Sequence, residues 1–234
     1  MPLVVKNLII INALFFLAKY TLASTLNVDL NSVLGLYYYN SPEFNPYQLI
    51  SYMFMHGGFS HIFFNMFALW MFGTQIENLW GPKRFLNYYL ITGFGAAFLH
   101  YLIIHFQISG LESYFTSNQI SEIVNNGAFN PSSPLFSKAR MLYGLHHTPV
   151  VGASGAVFGL LLAYGMTYPN QIIYLNLLFP IKAKYFVIIY GLLEFVMGVQ
   201  NSAGDNVAHF AHIGGMLFGF LLIKYWKKND MNFY

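Results

Sequence analysis

Three groups of polar residues stand in stretches that are otherwise apolar, and their types fit one kind of chemistry. Ser154 lies in G-A-S-G-A, His61 and Asn65 in H-I-F-F-N, and His209 and His212 in A-H-F-A-H-I-G-G. A serine hydroxyl is a poor nucleophile at neutral pH and needs an adjacent base to accept its proton. Neutral imidazole, with an unperturbed pKa of about 6.5, suits that task. A tetrahedral intermediate then needs donors for its oxyanion. Backbone N–H groups at the start of a helix can serve beside Ser154, helped by the helix dipole. His61 and Asn65, one turn apart on one helix face, can add side-chain donors.

Glycine spacing supports bringing the serine and a histidine together. His212, Gly215 and Gly219 fall at i, i+3 and i+7, while Gly155 and Gly159 form a small-xxx-small step. Ser154 is offset from Gly155 by about 100° around the helix. Small-residue stripes let two helix backbones approach closely, and a Ser–His hydrogen bond must span only about 2.6–3.2 Å.

The segments that carry these residues belong in a membrane. Of 234 residues, 56% are hydrophobic and only 8% are Asp, Glu, Lys or Arg, against roughly 25% charged in a soluble domain. This excludes a disordered chain and an ordinary soluble globule. The net charge of +3 forms no polybasic run, so no nucleic-acid partner is expected. Cysteine is absent, which excludes disulfides, thiolate catalysis and Cys-based metal sites. No cofactor is implied.

Hydropathy predicts six spans, at about 7–23, 60–78, 85–106, 151–168, 185–199 and 207–223. The fold class is therefore an all-α membrane protein, one six-helix bundle over residues 1–234. Residues 7–23 have the character of a signal-peptide core, but their length and the lack of a small-residue cleavage site read as a retained first helix. The apolar stretches Tyr47–Met55 and Ile172–Pro180 are too short to span and are expected at the interface or under a loop. With both termini cytoplasmic, eight of the 11 basic residues fall inside: Lys6, Lys83, Arg84, Lys182, Lys184, Lys224, Lys227 and Lys228. In this topology the second, fourth and sixth helices start at the outer face, so His61, Ser154 and His212 share one depth. The outer loops are then about 24–59 and 107–150, both long.

In these motifs the chain resembles the rhomboid intramembrane serine proteases, from about Tyr47 to Ile223. H-G-G-F-S-H-I-F-F-N from His56 is similar to the family's second-helix pattern that contributes oxyanion donors, His61 and Asn65 here. Glu77 in E-N-L-W-G matches a family glutamate. Gly152 to Gly155 match the nucleophile motif around Ser154, and A-H-F-A-H-I-G-G puts His212 where the family has its base, with His209 as companion. The resemblance implies a Ser–His dyad that cleaves transmembrane protein substrates in the bilayer, with the fifth helix and overlying loops as substrate gate. The first outer loop lacks a Trp-Arg pair common in the family, and the 107–150 loop is long, which leaves substrate preference open.

Other readings attach to single residues. His209 and His212 at i, i+3 could ligate a metal, but no H-E-x-x-H or acidic third ligand is evident, so no metal is expected. Glu194, the acid well inside a span, is read as protonated and hydrogen-bonded, as facing a water-filled cavity, or as part of a gate. Glu77 is expected to bond loop amides. His100 and His105 are expected to pair with polar neighbours, and His146 and His147 to be solvated in the outer loop. A non-proteolytic binder of transmembrane clients and a small transporter are the alternatives to a protease, the latter opposed by the lack of an internal repeat. Small size and the lack of an organelle-targeting segment point to a bacterial inner membrane; oligomeric state and substrate are not legible.

Overall fold

The computed structural model describes residues 1–175, 179–200 and 208–229 and is predominantly helical. In chain order the helices are α1 (Leu3–Leu26), α2 (Leu30–Leu34), α3 (Gln48–Ser51), α4 (Phe59–Ala68), α5 (Thr74–Trp80), α6 (Pro82–Glu112), α7 (Ser117–Asn126), α8 (Phe136–His147), α9 (Ser154–Thr167), α10 (Ala183–Gln200) and α11 (His209–Asn229). Three of them, α1, α6 and α10, are long and apolar enough to cross a membrane, and α9 is a shorter apolar helix. Val207, expected to open the last span, lies outside the described residues.

The second predicted span is not uniform. A π-helical turn, Leu69–Gly73, joins α4 to α5. A glutamate near its far end ties it to the first helix. Glu77 is buried, and its Oε1 and Oε2 accept hydrogen bonds from the backbone N–H groups of Val4 (2.9 Å) and Val5 (2.8 Å). Those amides lie in the first turn of α1, where a helix has no internal partners for them, and a carboxylate also suits the positive end of the helix dipole. The expected loop amides are therefore the first-turn amides of α1.

At the centre of the molecule α6, α9 and α11 pack against one another, with almost no side chain intervening. A Cβ at Gly155 would meet Ala96 of α6, and one at Gly215 would meet the Gly155 backbone at 2.7 Å (carbonyl carbon). A Cβ at Gly159 would lie 2.7 Å from Thr92. Tyr88 Oη reinforces the α6–α9 contact by donating to the Gly159 carbonyl (2.8 Å), and Tyr52 Oη ties the segment before α4 to α6 by donating to the Gly93 carbonyl (2.8 Å). The segment Tyr47–Met55, expected at the interface or under a loop, packs its far end against α6. It forms α3 and a 3-10 turn (Tyr52–Phe54), with Tyr52, Met53 and Met55 buried, because Gly93 leaves room for Met53.

Two further departures concern loops. The stretch predicted as one long loop, 107–150, holds the end of α6 together with α7 and α8, which share a small core of Tyr38, Ile104, Ile108, Ile123, Ala139 and Leu142. Nor are its histidines solvated. His146 is 2% exposed and packs edge-on against Tyr38. His147 stacks on Tyr143 at 4.0 Å, with Nδ1 bonded to Glu43 Oε1 (2.8 Å) and Nε2 to the Val124 carbonyl (2.7 Å). Burial tends to raise the Glu43 carboxyl, but hydrogen bonds from Ser41 and His147 hold it below its ordinary value. Of the other short apolar stretch, residues 176–178 lie outside the described residues; on either side of them β1 (Ile172–Leu175) and β2 (Phe179–Lys182) pair antiparallel, Ile172 with Lys182.

Candidate active site

Four helices contribute to one polar cluster, and each does so from a position dictated by local structure. Ser154 is the first residue of α9, after Ala153 at the cap. Its own N–H and the next two therefore lack intrahelical acceptors. Gly152, two residues earlier, has φ +133°, a conformation open to glycine, and its N–H donates to the Tyr52 carbonyl (2.9 Å). A Cβ there would lie 2.9 Å from His61 Nε2 and 3.5 Å from Ser154 Oγ. The missing side chain is what allows the His61 edge and the serine to face the same small space.

His212 stands in the first turn of α11, its N–H bonded to the Ala208 carbonyl (3.3 Å). Its Nε2 is 2.8 Å from Ser154 Oγ. The close backbone approach of Gly215 and Gly155 makes this reach possible. Phe158, one turn after Ser154, stacks on the imidazole at 4.2 Å with 6° between the planes. On the other side, His212 Nδ1 is 2.8 Å from Glu194 Oε2, and His209 Nδ1 is 2.6 Å from the same oxygen. All three are buried, at 7% exposure for each histidine and 8% for Glu194.

His61 lies in the first turn of α4, and its Nδ1 accepts from the Gly57 N–H (3.3 Å). An imidazole that accepts at Nδ1 in its neutral form carries its hydrogen on Nε2, the atom nearest Gly152. Asn65 is buried one turn further on, where its amide donates to the His61 carbonyl (3.1 Å). Lys19 of α1 donates to the carbonyls of His56 and Gly57 (2.9 Å each), holding the loop whose amide sets the His61 tautomer. His56 packs edge-on against His61 at 5.0 Å, and burial, with the charges of His61 and Lys19, pushes its pKa down to about 4.

Some sequence expectations change here. An acidic neighbour of His209 and His212 does exist: Glu194 supplies it, and one ligand atom from each of the three lies within 4.8 Å of the others. It is absent from any local motif because it comes from α10. The 2.6 and 2.8 Å separations are hydrogen-bond lengths, shorter than the roughly 3.3 Å between neighbouring ligands implied by zinc–nitrogen bonds of about 2.0–2.1 Å in a tetrahedron. Of the two histidines on α6, His105 pairs with the Tyr38 hydroxyl (3.0 Å), whereas Nε2 of His100 is buried with no hydrogen-bond partner. Sequence reasoning missed Phe158, whose i+4 relation to Ser154 is the available signal. It also missed Lys19, a lone cation near the end of an apolar helix.

Taken as chemistry, a serine hydroxyl bonded to an imidazole beside free helix-start amides can attack a carbonyl and hold the resulting oxyanion. Comparison with known proteins points the same way. The family described as Rhomboid domain matches residues 43–228. RHOMBOID-like protein 12, mitochondrial, of Arabidopsis thaliana is 31% identical over 172 residues, covering 71% of this chain and 42% of that protein. RHOMBOID-like protein 4 of the same plant is 31% identical over 180 residues, 75% of this chain and 33% of its own length. Rhomboid protease GluP of Bacillus subtilis is 29% identical over 176 residues, 74% and 25% of the two chains. The aligned part of this chain spans less than half the length of each of these relatives.

Proposed function

The chain belongs to the rhomboid family, and on that premise we propose that it is an intramembrane serine endopeptidase acting on transmembrane proteins. The observation that carries the reading is the part-buried hydrogen bond between Ser154 Oγ and His212 Nε2, 2.8 Å long, at the start of α9. Ser154 attacks the scissile carbonyl carbon while its proton passes to His212 Nε2. The tetrahedral intermediate collapses as His212 delivers that proton to the leaving amine, leaving an acyl-enzyme that water hydrolyses by the same route in reverse. His61 Nε2–H, the Asn65 amide and the Ser154 backbone N–H stabilise the oxyanion. Gly152, Gly155, Gly215 and Gly219 give the backbone proximity that this needs.

The proposal includes the membrane arrangement. Six spans (α1, α4 with α5, α6, α9, α10 and α11) cross the bilayer as a single domain with both termini cytoplasmic. The distribution of basic residues and the exposed apolar faces, such as Ile188, Leu192, Phe195 and Val199 on α10, support it. With 14 residues, α9 is about 21 Å long, well short of the roughly 30 Å hydrocarbon core. If its far end reaches the cytoplasmic interface, Ser154 sits about 9 Å below the outer edge of the hydrocarbon, where a transmembrane substrate is reachable and water enters from one side only. A bacterial inner membrane is proposed as the compartment; the relatives above include mitochondrial proteins as well as a bacterial one.

Labelling of the purified protein with a fluorophosphonate tests the reading. Wild type is expected to label, and Ser154→Ala and His212→Ala to lose labelling with unchanged thermal unfolding. Labelling retained in Ser154→Ala overturns the assignment. A folded wild type that stays unlabelled but captures transmembrane clients replaces it with the client-binding alternative.

A further inference from the structure

We propose that Glu194 makes the site a triad: a positioning residue on α10 that sets the tautomer and orientation of His212 for proton transfer from Ser154. The inference rests on the serine-protease reading above and goes beyond the pair of residues named there.

The hydrogen-bond inventory carries the argument. An ionised carboxylate oxygen accepts and cannot donate. Glu194 Oε2 lies 2.8 Å from His212 Nδ1 and 2.6 Å from His209 Nδ1; with the carboxylate ionised, both imidazoles present N–H at that atom. A neutral His212 with its hydrogen on Nδ1 has a lone pair on Nε2, and Nε2 is the atom 2.8 Å from Ser154 Oγ. This is the tautomer a general base requires. The alternative tautomer would aim an N–H at the serine hydroxyl and a lone pair at a carboxylate.

Orientation is fixed in two senses. Phe158 lies face-on to the imidazole and prevents it from tilting. Glu194 acts in the ring plane and prevents it from turning about its side-chain bonds. His209 in turn anchors the carboxylate, so that Glu194 stays put when His212 changes charge. As the Ser154 proton moves to Nε2, an imidazolium forms with the Glu194 charge against its Nδ1–H. The proton stays on the ring until it goes to the leaving amine, and the carboxylate is not protonated in the cycle. Because Glu194 is buried among these partners, little water is present to weaken the interaction.

The test separates orientation from folding. Glu194→Gln keeps the size of the side chain and removes its charge and its obligate acceptor. Fluorophosphonate labelling of the full chain in detergent is followed to saturation, giving the limiting rate and the half-saturating probe concentration separately. The limiting rate is expected to fall about 100-fold or more, with half-saturation and melting temperature unchanged and the full amount of protein eventually labelled. A wild-type limiting rate in Glu194→Gln overturns the proposal, as does a loss confined to the amount of labelled protein, the mark of a purely structural role. Should the variant not fold, 15N-histidine spectra of the wild type decide, with His212 assigned by its loss in His212→Ala. Hydrogen on Nδ1 supports the triad and hydrogen on Nε2 overturns it. Labelling abolished by a chelator and restored by zinc also overturns it, since the same three side chains would then be metal ligands. Ser154→Ala run in parallel keeps the two readings apart: if it is inert while Glu194→Gln is fully active, only the triad fails.

Discussion

Gly215→Ala adds a single methyl group at the contact that brings α11 against α9. A Cβ at this position would lie 2.7 Å from the Gly155 carbonyl carbon and 3.3 Å from its Cα, with the carbonyl oxygen nearer still. Carbon–carbon contacts are comfortable at about 3.5–4.0 Å, so the helices must part by at least about 0.8 Å to clear the carbon, and by more to clear the oxygen. Backbone on both sides leaves nothing flexible to yield. Ser154 precedes Gly155 and His212 lies one turn before Gly215, so a separation of about 1 Å at this contact stretches the 2.8 Å Ser154–His212 bond beyond hydrogen-bonding range. Overpacking of this kind costs about 1–3 kcal/mol in stability, and a misplacement of about 1 Å between reacting groups costs about 100-fold in rate. Thermal unfolding and fluorophosphonate labelling rates read the two effects on one preparation. Gly110→Ala is the control: it lies in α6 with open space where its Cβ would be, and is expected to be neutral or slightly stabilising. A Gly215→Ala protein that labels at the wild-type rate with wild-type stability would refute the claim that glycine proximity sets the site.

Two further perturbations follow from groups outside the spans and at their ends. His56 has a folded pKa of about 4 against 6.5 when unfolded, so the unfolded chain binds more protons between those values. Above pH 6.5 the imidazole is neutral in both states and adds no pH dependence, and stability is lost as the pH falls toward 4, by about 2 kcal/mol at pH 5. His56→Phe should flatten the pH dependence of unfolding by that amount, and an unchanged slope would show that the imidazole is not held neutral. Glu77→Ala leaves the half-buried Val4 amide and the buried Val5 amide without acceptors and is expected to cost about 2–4 kcal/mol, while Glu77→Gln, with one acceptor oxygen, should lose about half as much. Equal melting temperatures for the three proteins would remove Glu77 as the anchor of α1.

What the sequence made legible follows from the energy scale involved. Long apolar runs with few charges announce helices, since backbone polar groups in hydrocarbon must pair within the segment. Their ends are less visible: α6 continues past Phe106 through Gln107, Ser109 and Glu112, because hydropathy reports where lipid begins, not where a helix stops. Helices α7 and α8 were hidden for the same reason. The Thr116–Gln119 capping box and Gly127 in the left-handed conformation after α7 are local signals of a helix that carries no hydrophobic run.

The candidate site divides in a similar way. Ser154 and His212 were conspicuous as polar residues in apolar segments, and the cost of burying such groups marks them out. The groups that hold the imidazole were not. Phe158 looks like one more aromatic among many, and Glu194 reaches His212 across 18 residues and from another helix. Helical periodicity gives the face of a residue on its own helix but not the rotation of that helix against its neighbour. A reactive pair is therefore readable from short motifs, whereas the restraints on its geometry belong to tertiary packing. If Glu194 holds His212 as argued, α10 takes part in the chemistry through its position alone, and any movement of α10 away from α11 would dismantle the base while leaving every motif intact.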